Sequence, residues 1–220
     1  TLQACLATKT HDAAVRRREL GIPESANVVV YLGLLAEYQG TSLLLETASI
    51  VLNRLPDTYF VVAGYPSADV YAARAKALGI DARVLFPGRI AYEDAPTWLA
   101  VGDVAVAPKR SATEGNGKLF NYMALGLPTV AIDTPANREI LGDLGHYAPF
   151  DRPDALAAAI EAALDDPPAR RSALRDRVAQ RYAWSTQGEQ LEAIYARLLG
   201  IEPRRMASTS AASAQLTADD

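Results

Sequence analysis

The chain has 220 residues, half of them hydrophobic, which allows one good core and a small appendage. Its net charge is −4 with a pI near 5.3, and basic residues are scattered apart from Arg16 to Arg18 and the Arg170–Arg171 pair, so no nucleic-acid footprint is present. A lone cysteine, Cys5, rules out an internal disulfide, His11 and His146 are too few for a histidine-rich metal site, and no apolar run approaches the roughly 20 residues that span a bilayer.

In chain order, Asp12 is placed as the cap of a short charged helix, Ala13 to Leu20, closed by Gly21 and Pro23. The β-branched run Val28 to Leu32 reads as the first strand and ends at Gly33. A loop from Leu34 to Gly40 leads to a helix over Ser42 to Leu52, and Tyr59 to Ala63 is a second strand ending at Gly64. The Ala-rich segment Ala68 to Leu78 reads as helix, Val84 to Phe86 as a short third strand, and Ala95 to Val101 as a helix bearing Trp98. Val104 to Ala107 and Thr129 to Ile132 are the fourth and fifth strands, Asn137 to Leu141 one or two helical turns, and His146 to Ala148 a sixth strand. The remainder is helical: Leu156, Ile160 and Ala163 recur at helical spacing, Asp166 with Pro167 starts another helix, and Leu191 to Leu199 stripe a last one with Thr186 and Glu189 as its capping box. The domain organisation expected is a lead-in over residues 1–27, one domain over 28–200 and a disordered tail over 201–220.

Strands this apolar, alternating with helices, imply an α/β fold, a Rossmann-like parallel sheet with helices on both faces and a helical C-terminal segment. Ligands of such sheets sit at the carboxyl ends of the strands. Between the fourth and fifth strands lies T-E-G-N-G-K-L-F-N-Y-M-A-L-G-L-P, Thr113 to Pro128, in which Asn116 and Gly117 turn a loop into a helix that starts at Lys118. Free N–H groups at such a helix start, with a lysine beside them, suit an anion, and a phosphate-bearing ligand is the first expectation. The plainer alternative is a turn with a solvated lysine.

These motifs together resemble the carboxyl-terminal, nucleotide-sugar-binding half of a two-domain (GT-B fold) retaining glycosyltransferase of the glycosyltransferase 4 family. The resemblance runs from about Val28 to Leu199. It rests on Y-L-G, V-V-A-G, V-L-F-P-G-R-I and V-A-V-A-P at the strand ends, then K-L-F-N-Y-M-A-L-G-L-P-T-V-A, N-R-E-I, and a late tryptophan with I-Y. It implies transfer of a sugar from a nucleotide diphosphate sugar to an acceptor. No acidic pair suited to a divalent metal stands out, so no metal and no further cofactor is expected. Carried over by position, it implies phosphate contacts from Asn116, Gly117 and Lys118, ribose contact from Asn121, donor-sugar contact from Glu114, and base contact from Arg89 and Ile90, with Gly33 at the cleft. Glu114 and Lys118 take the catalytic roles.

The chain departs from the family pattern at several of these positions. Many members place an arginine and a lysine on the donor diphosphate after the first strand, where this chain has Leu34 and Gln39 before a retained Gly40. Of the family's two glutamates, the second falls on Asn121 and the first on Thr113, with Glu114 one position off. Lys118, Lys109, Arg110 and Arg89 are the candidates to replace the missing charge. The 27 residues before Val28 cannot make the amino-terminal acceptor domain that members carry, so that domain is the expected partner, in cis or as a separate chain.

Without an initiating methionine, the chain is expected to be processed or part of a longer polypeptide. The location expected is cytoplasmic, with the basic patches at Arg16 and Arg170 as solvated helix faces or as a peripheral contact with the inner face of an anionic membrane. A non-catalytic nucleotide-sugar or partner-binding module is the alternative function. A nicotinamide or flavin enzyme is disfavoured because Gly33 and Gly40 lack the G-x-G-x-x-G spacing. His146 reads as a residue beside a strand rather than a base, and Trp98 and Trp184 as core or domain-edge packing rather than sugar platforms.

Overall fold

A computed structural model describes residue 5, residues 10–111 and residues 113–201. The chain divides into two units after Tyr182. The first holds α1 (Thr10–Glu19), β1 (Asn27–Leu34), α2 (Thr41–Arg54), β2 (Thr58–Tyr65), α3 (Ala68–Ala77), β3 (Val84–Leu85), α4 (Ala95–Leu99) and β4 (Val104–Ala107). It continues with α5 (Lys118–Ala124), β5 (Thr129–Ile132), α6 (Pro135–Leu141), β6 (His146–Ala148), α7 (Pro153–Leu164) and α8 (Pro168–Tyr182). The second unit contributes one described helix, α9 (Trp184–Leu199).

The six strands form one sheet in the order β3-β2-β1-β4-β5-β6, every pair parallel. Strands buried on both faces need apolar residues at every position, which is why β4 and β5 read as continuous runs. The two-residue period divides those residues between two cores. Val29, Tyr31, Val104, Val106, Val130 and Ile132 meet α2, α3 and α7 on one face. Val28, Val30, Ala105, Ala107 and Ala131 meet α4, α5, α6 and α8 on the other. Leu119 and Met123 of α5 are wholly buried in the second core, each stabilising by about 1.5–3 kcal/mol.

Helix starts differ most from the sequence reading at α1 and α9; α6 begins two residues early, at Pro135 after the Thr134 cap. Asp12 lies inside α1, which begins at Thr10, because a charged ten-residue segment carries no apolar stripe to mark its first turn. Thr186 and Glu189 do not form a capping box: α9 begins a turn earlier, after the extended Ala183, so both residues are already helical. The C-terminal tail read as disordered lies, from residue 202 on, outside the described residues. His146 sits in β6 with Nε2 3.0 Å from Asp166 Oδ2, and Trp98 packs against the second core under Arg16, whose guanidinium carbon is 4.7 Å from the ring centre. Trp184 is not a core residue; it is exposed at the start of α9.

The centre of the sheet is held by one hydroxyl. β1 and β4 pair only at Val29–Val104 and Val30–Ala105 and then part. The Tyr122 hydroxyl lies in the gap, accepting from the Leu32 N–H at 3.3 Å and donating to the Val106 carbonyl at 3.4 Å. Burial raises the Tyr122 pKa, so it stays a protonated donor. Tyr122→Phe leaves both backbone groups without this partner, a loss of about 1–3 kcal/mol. A calorimetric melt should show Tm lowered by roughly 2–12 °C for a chain of this size, and an unchanged Tm would show that the hydroxyl bridges nothing that matters.

Candidate functional site

Strand order reverses between β1 and β4, so the connections leaving their carboxyl ends run to opposite sides of the sheet and leave a crevice. Two loops line it, one after β1 and one after β4. They touch where a Cβ built on Gly40 would lie 2.1 Å from the Pro108 carbonyl oxygen, and the Arg110 N–H donates to the Tyr38 carbonyl at 3.0 Å. Gly40 has φ +79, so both its conformation and its neighbour demand glycine.

Lys118, the first residue of α5, points into this crevice. Its Nζ donates to Gln39 Oε1 at 3.2 Å and stands 4.2 Å from the centre of the Tyr31 ring, an attraction between cation and π face. Tyr31 is fixed by its own hydroxyl, which donates to the Leu34 carbonyl at 2.7 Å. A Cβ on Gly33 would come within 2.9 Å of Nζ and 3.1 Å of the Tyr31 hydroxyl oxygen, so Gly33 leaves room for the ammonium. Lys118 is half-buried, with its ammonium between Gln39 and the Tyr31 ring. Burial first, and the like charge of Lys109 second, pull its pKa down to about 7. Lys109 is buried as well, with Nζ 2.6 Å from Glu114 Oε2.

Asn116 is buried, and its Nδ2 has no hydrogen-bond partner among the described residues. A buried donor left open is uncommon in a folded chain and marks a place where an acceptor from outside fits. Gly117 precedes α5 and is exposed, while Asn121 stands one turn along the helix from Lys118 and is half-buried. Glu114 is exposed and is tethered to the crevice through Lys109. The structure therefore gathers Gly33, Asn116, Gly117, Lys118 and Asn121 around the parting of β1 and β4.

Arg89 and Ile90 stand elsewhere, at the end of β3 and so beyond β2 from the crevice. Arg89 lies over the exposed Tyr65 ring at 4.9 Å, and the Gly64 N–H donates to the Gly88 carbonyl at 2.8 Å, which fixes this corner to β2. Tyr31, Tyr65 and Tyr122 are contacts that sequence reasoning did not single out. The alternation within β1 puts Tyr31 on one face, but the arrival of a lysine 87 positions later on that ring is a tertiary event. Two enclosed ammonium groups, one open amide donor and a glycine-lined approach suit a ligand with several anionic oxygens. Among the described residues no group of three or more His, Cys, Asp or Glu side chains is arranged to hold a metal ion.

Comparison with known proteins adds a family and a fold. The family model described as "Glycosyl transferases group 1" matches residues 12–181. The phosphatidyl-myo-inositol mannosyltransferase of Mycobacterium tuberculosis is 30% identical over 189 residues, which cover 82% of this chain and 50% of the mannosyltransferase. The chain spans about half the length of the curated relatives it matches. Among solved structures, Anabaena HepE in complex with UDP-glucose aligns with a TM-score of 0.76 at 20% identity, over 86% of this chain and 54% of HepE. The C-terminal domain of LpcC, a group 1 family glycosyl transferase from Francisella tularensis, aligns with a TM-score of 0.64 at 24% identity, over 77% of this chain and 92% of that domain. Both structural likenesses are likenesses of fold.

The crevice floor can be tested with two glycines. Gly40→Ala and Gly79→Ala both place a Cβ in the left-handed region, at φ +79 and +71, at a cost of about 1–2 kcal/mol. Only Gly40 meets backbone; nothing lies within 4 Å of a Cβ on Gly79. Gly40→Ala should lower the urea midpoint clearly more than Gly79→Ala, and equal midpoints would contradict the contact between the two loops.

Proposed function

The chain belongs to the group 1 glycosyl transferases, and from that premise we propose that it is the half that holds a nucleotide diphosphate sugar for retaining transfer of the sugar to an acceptor. The observation that carries this reading is the pair of enclosed ammonium groups, Lys118 and Lys109, at the point where β1 and β4 part. Lys118 donates to Gln39, so a cation from α5 stands beside the position where the resembled family carries its own lysine. The charge missing at Leu34 and Gln39 is supplied from the other side of the crevice.

In this reading the diphosphate lies against Lys118, Lys109, the open Nδ2 of Asn116 and the N–H of Gly117. Asn121 takes the ribose hydroxyls, and Glu114, positioned by Lys109, takes hydroxyls of the donor sugar. The base extends toward Arg89 and Ile90, with Tyr65 beside them. When the bond from the sugar to the diphosphate breaks, its electron pair stays on a phosphate oxygen, and the protonated Lys118 is aimed at that growing charge. A preorganised donor of this kind is worth on the order of 2.7–4 kcal/mol of barrier, a hundredfold or more in rate. The cations do the work a divalent metal does elsewhere, so transfer should persist in EDTA.

An acceptor-binding domain in cis or in trans completes the enzyme. The chain's half-length match to its relatives supports this, as does the bound UDP-glucose of HepE for the donor class. Among the described residues no helix is long and apolar enough to cross a membrane.

Thermal-shift assays with UDP, GDP and their sugar conjugates, with NAD as control, test the reading. At about a hundred times its Kd a true ligand adds roughly 2.7 kcal/mol, or about 5–10 °C at this size. One nucleoside diphosphate should give that shift and Lys118→Met should remove it. No shift on a cooperatively folded sample would shift the balance to a non-catalytic partner-binding module.

The pH dependence follows from the lowered Lys118 pKa. In the free site the ammonium is charged below about pH 7 and neutral above it, while a bound diphosphate holds the proton on. Affinity is therefore full below pH 7 and falls as pH rises through the free-site value, by up to about tenfold per pH unit. Calorimetric titration of the active nucleotide between about pH 7.5 and 9, well above the second phosphate ionisation near pH 6, should show this weakening with proton uptake. Lys118→Met should give a flat profile; a flat profile in the unmodified chain would remove Lys118 from the phosphate.

A further inference from the structure

A second cavity, of about 500 Å³, opens at the opposite pole, beside the amino ends of β4 and β5. It lies between α1, the approach to β4, the end of α5 and α8. That volume is within the roughly 300–1,000 Å³ of small-molecule sites. It shares no lining residue with the donor crevice.

Three guanidinium groups face it, from Arg17, Arg171 and Arg175. Arg17 is already committed: its Nη2 is 2.9 Å from Asp103 Oδ2 and its Nε donates to the Val101 carbonyl at 2.8 Å. Asp103 is committed too, accepting from the Val28 N–H at 2.8 Å. Arg171 and Arg175 are different. Each is held through Nη2 alone by a backbone carbonyl, of Asp103 at 3.1 Å and of Leu125 at 3.0 Å. Among the described side chains, no carboxylate pairs with either. They are one helical turn apart on α8, so both reach the same space. Gly126 gives them that space: at φ +66, a Cβ there would lie 2.8 Å from Arg175 Nε. Leu125, Leu127 and Ala100 supply an apolar wall, and the exposed Glu24 an acceptor at the rim.

We propose that this cavity is a second ligand site, for a small hydroxylated phosphomonoester. The phosphate dianion lies between Arg171 and Arg175, whose two charges it matches and whose planar N–H forks suit its oxygens. The carbon body lies against Leu125 and Leu127, and a hydroxyl donates to Glu24. The site is separate from the donor crevice. Both flank α5, one at Lys118 and the other just past Ala124, and seven helical residues set them about 10 Å apart along the helix.

The test is an amide NMR titration of the full chain with glycerol 3-phosphate, and separately with inorganic phosphate, each with and without saturating UDP. Saturable shifts at Gly102 and Gly126 are expected, tighter for glycerol 3-phosphate than for inorganic phosphate and unchanged by UDP. Arg175→Gln should weaken the Kd at least tenfold, and Arg175→Lys, which keeps the charge, should weaken it less. No saturable shift would overturn the proposal. So would shifts centred on Gly33 and Gly40 that UDP removes, equal binding of inorganic phosphate, or an unchanged Kd in Arg175→Gln. Because Arg171 and Arg175 play no part in the donor crevice, failure here leaves the donor reading standing, and failure there leaves this one.

Discussion

Where β1 and β4 separate, two ladder groups lose their strand partners, and the Tyr122 hydroxyl stands in for both. A parallel sheet that simply stopped pairing at its centre would leave buried backbone groups open, at a cost comparable to a lost hydrogen bond each. With the hydroxyl in place, the strands can diverge and a crevice can exist. The same helix that delivers Tyr122 to the gap delivers Lys118 to the crevice, four positions earlier and one turn nearer the carboxyl ends. Support and chemistry therefore share a seven-residue element.

The crevice is built against the ordinary rule for buried charge. Enclosing an ammonium without a carboxylate beside it disfavours the charged form, and a second lysine nearby disfavours it further. Lys118 is left with an amide oxygen and a ring face, which orient it without neutralising it. Glu114 satisfies Lys109 instead. The free site thus carries a demand for negative charge, which the diphosphate proposed above would meet.

The two poles of the sheet carry different electrostatics. At the carboxyl pole the cations are lysines, enclosed and close together. At the amino pole they are arginines tethered to backbone carbonyls, with Asp103 tying the first helix to β1 and β4. Arg17 shows how a basic run that reads as a solvated face can hold structure: its guanidinium fastens α1 beneath the sheet. Arg177 does the same from α8, donating to the Ile140 and Glu139 carbonyls.

The strands and their parallel sheet were legible in the sequence because burial on both faces leaves continuous apolar runs, and β4 and β5 have the limits read from those runs; the order of the strands in the sheet was not. The helix starting at Lys118 was legible for the same reason: Asn116-Gly117 before it and Gly126 with Pro128 after it are local signals. So was the family, since the resemblance rests on strand-end motifs in a fixed order and the family model matches residues 12–181. Helix starts such as those of α1 and α9 were not: the charged sequence of α1 carries no apolar stripe, and no side-chain cap marks the first turn of α9. What replaces the absent cations at Leu34 and Gln39 could only be named as four candidates from sequence. The tertiary structure decided which of the four stands beside Gln39: the meeting of Lys118 with Gln39, Tyr31 and Gly33 depends on how far two non-sequential strands diverge, a distance set by packing and by one tyrosine hydroxyl.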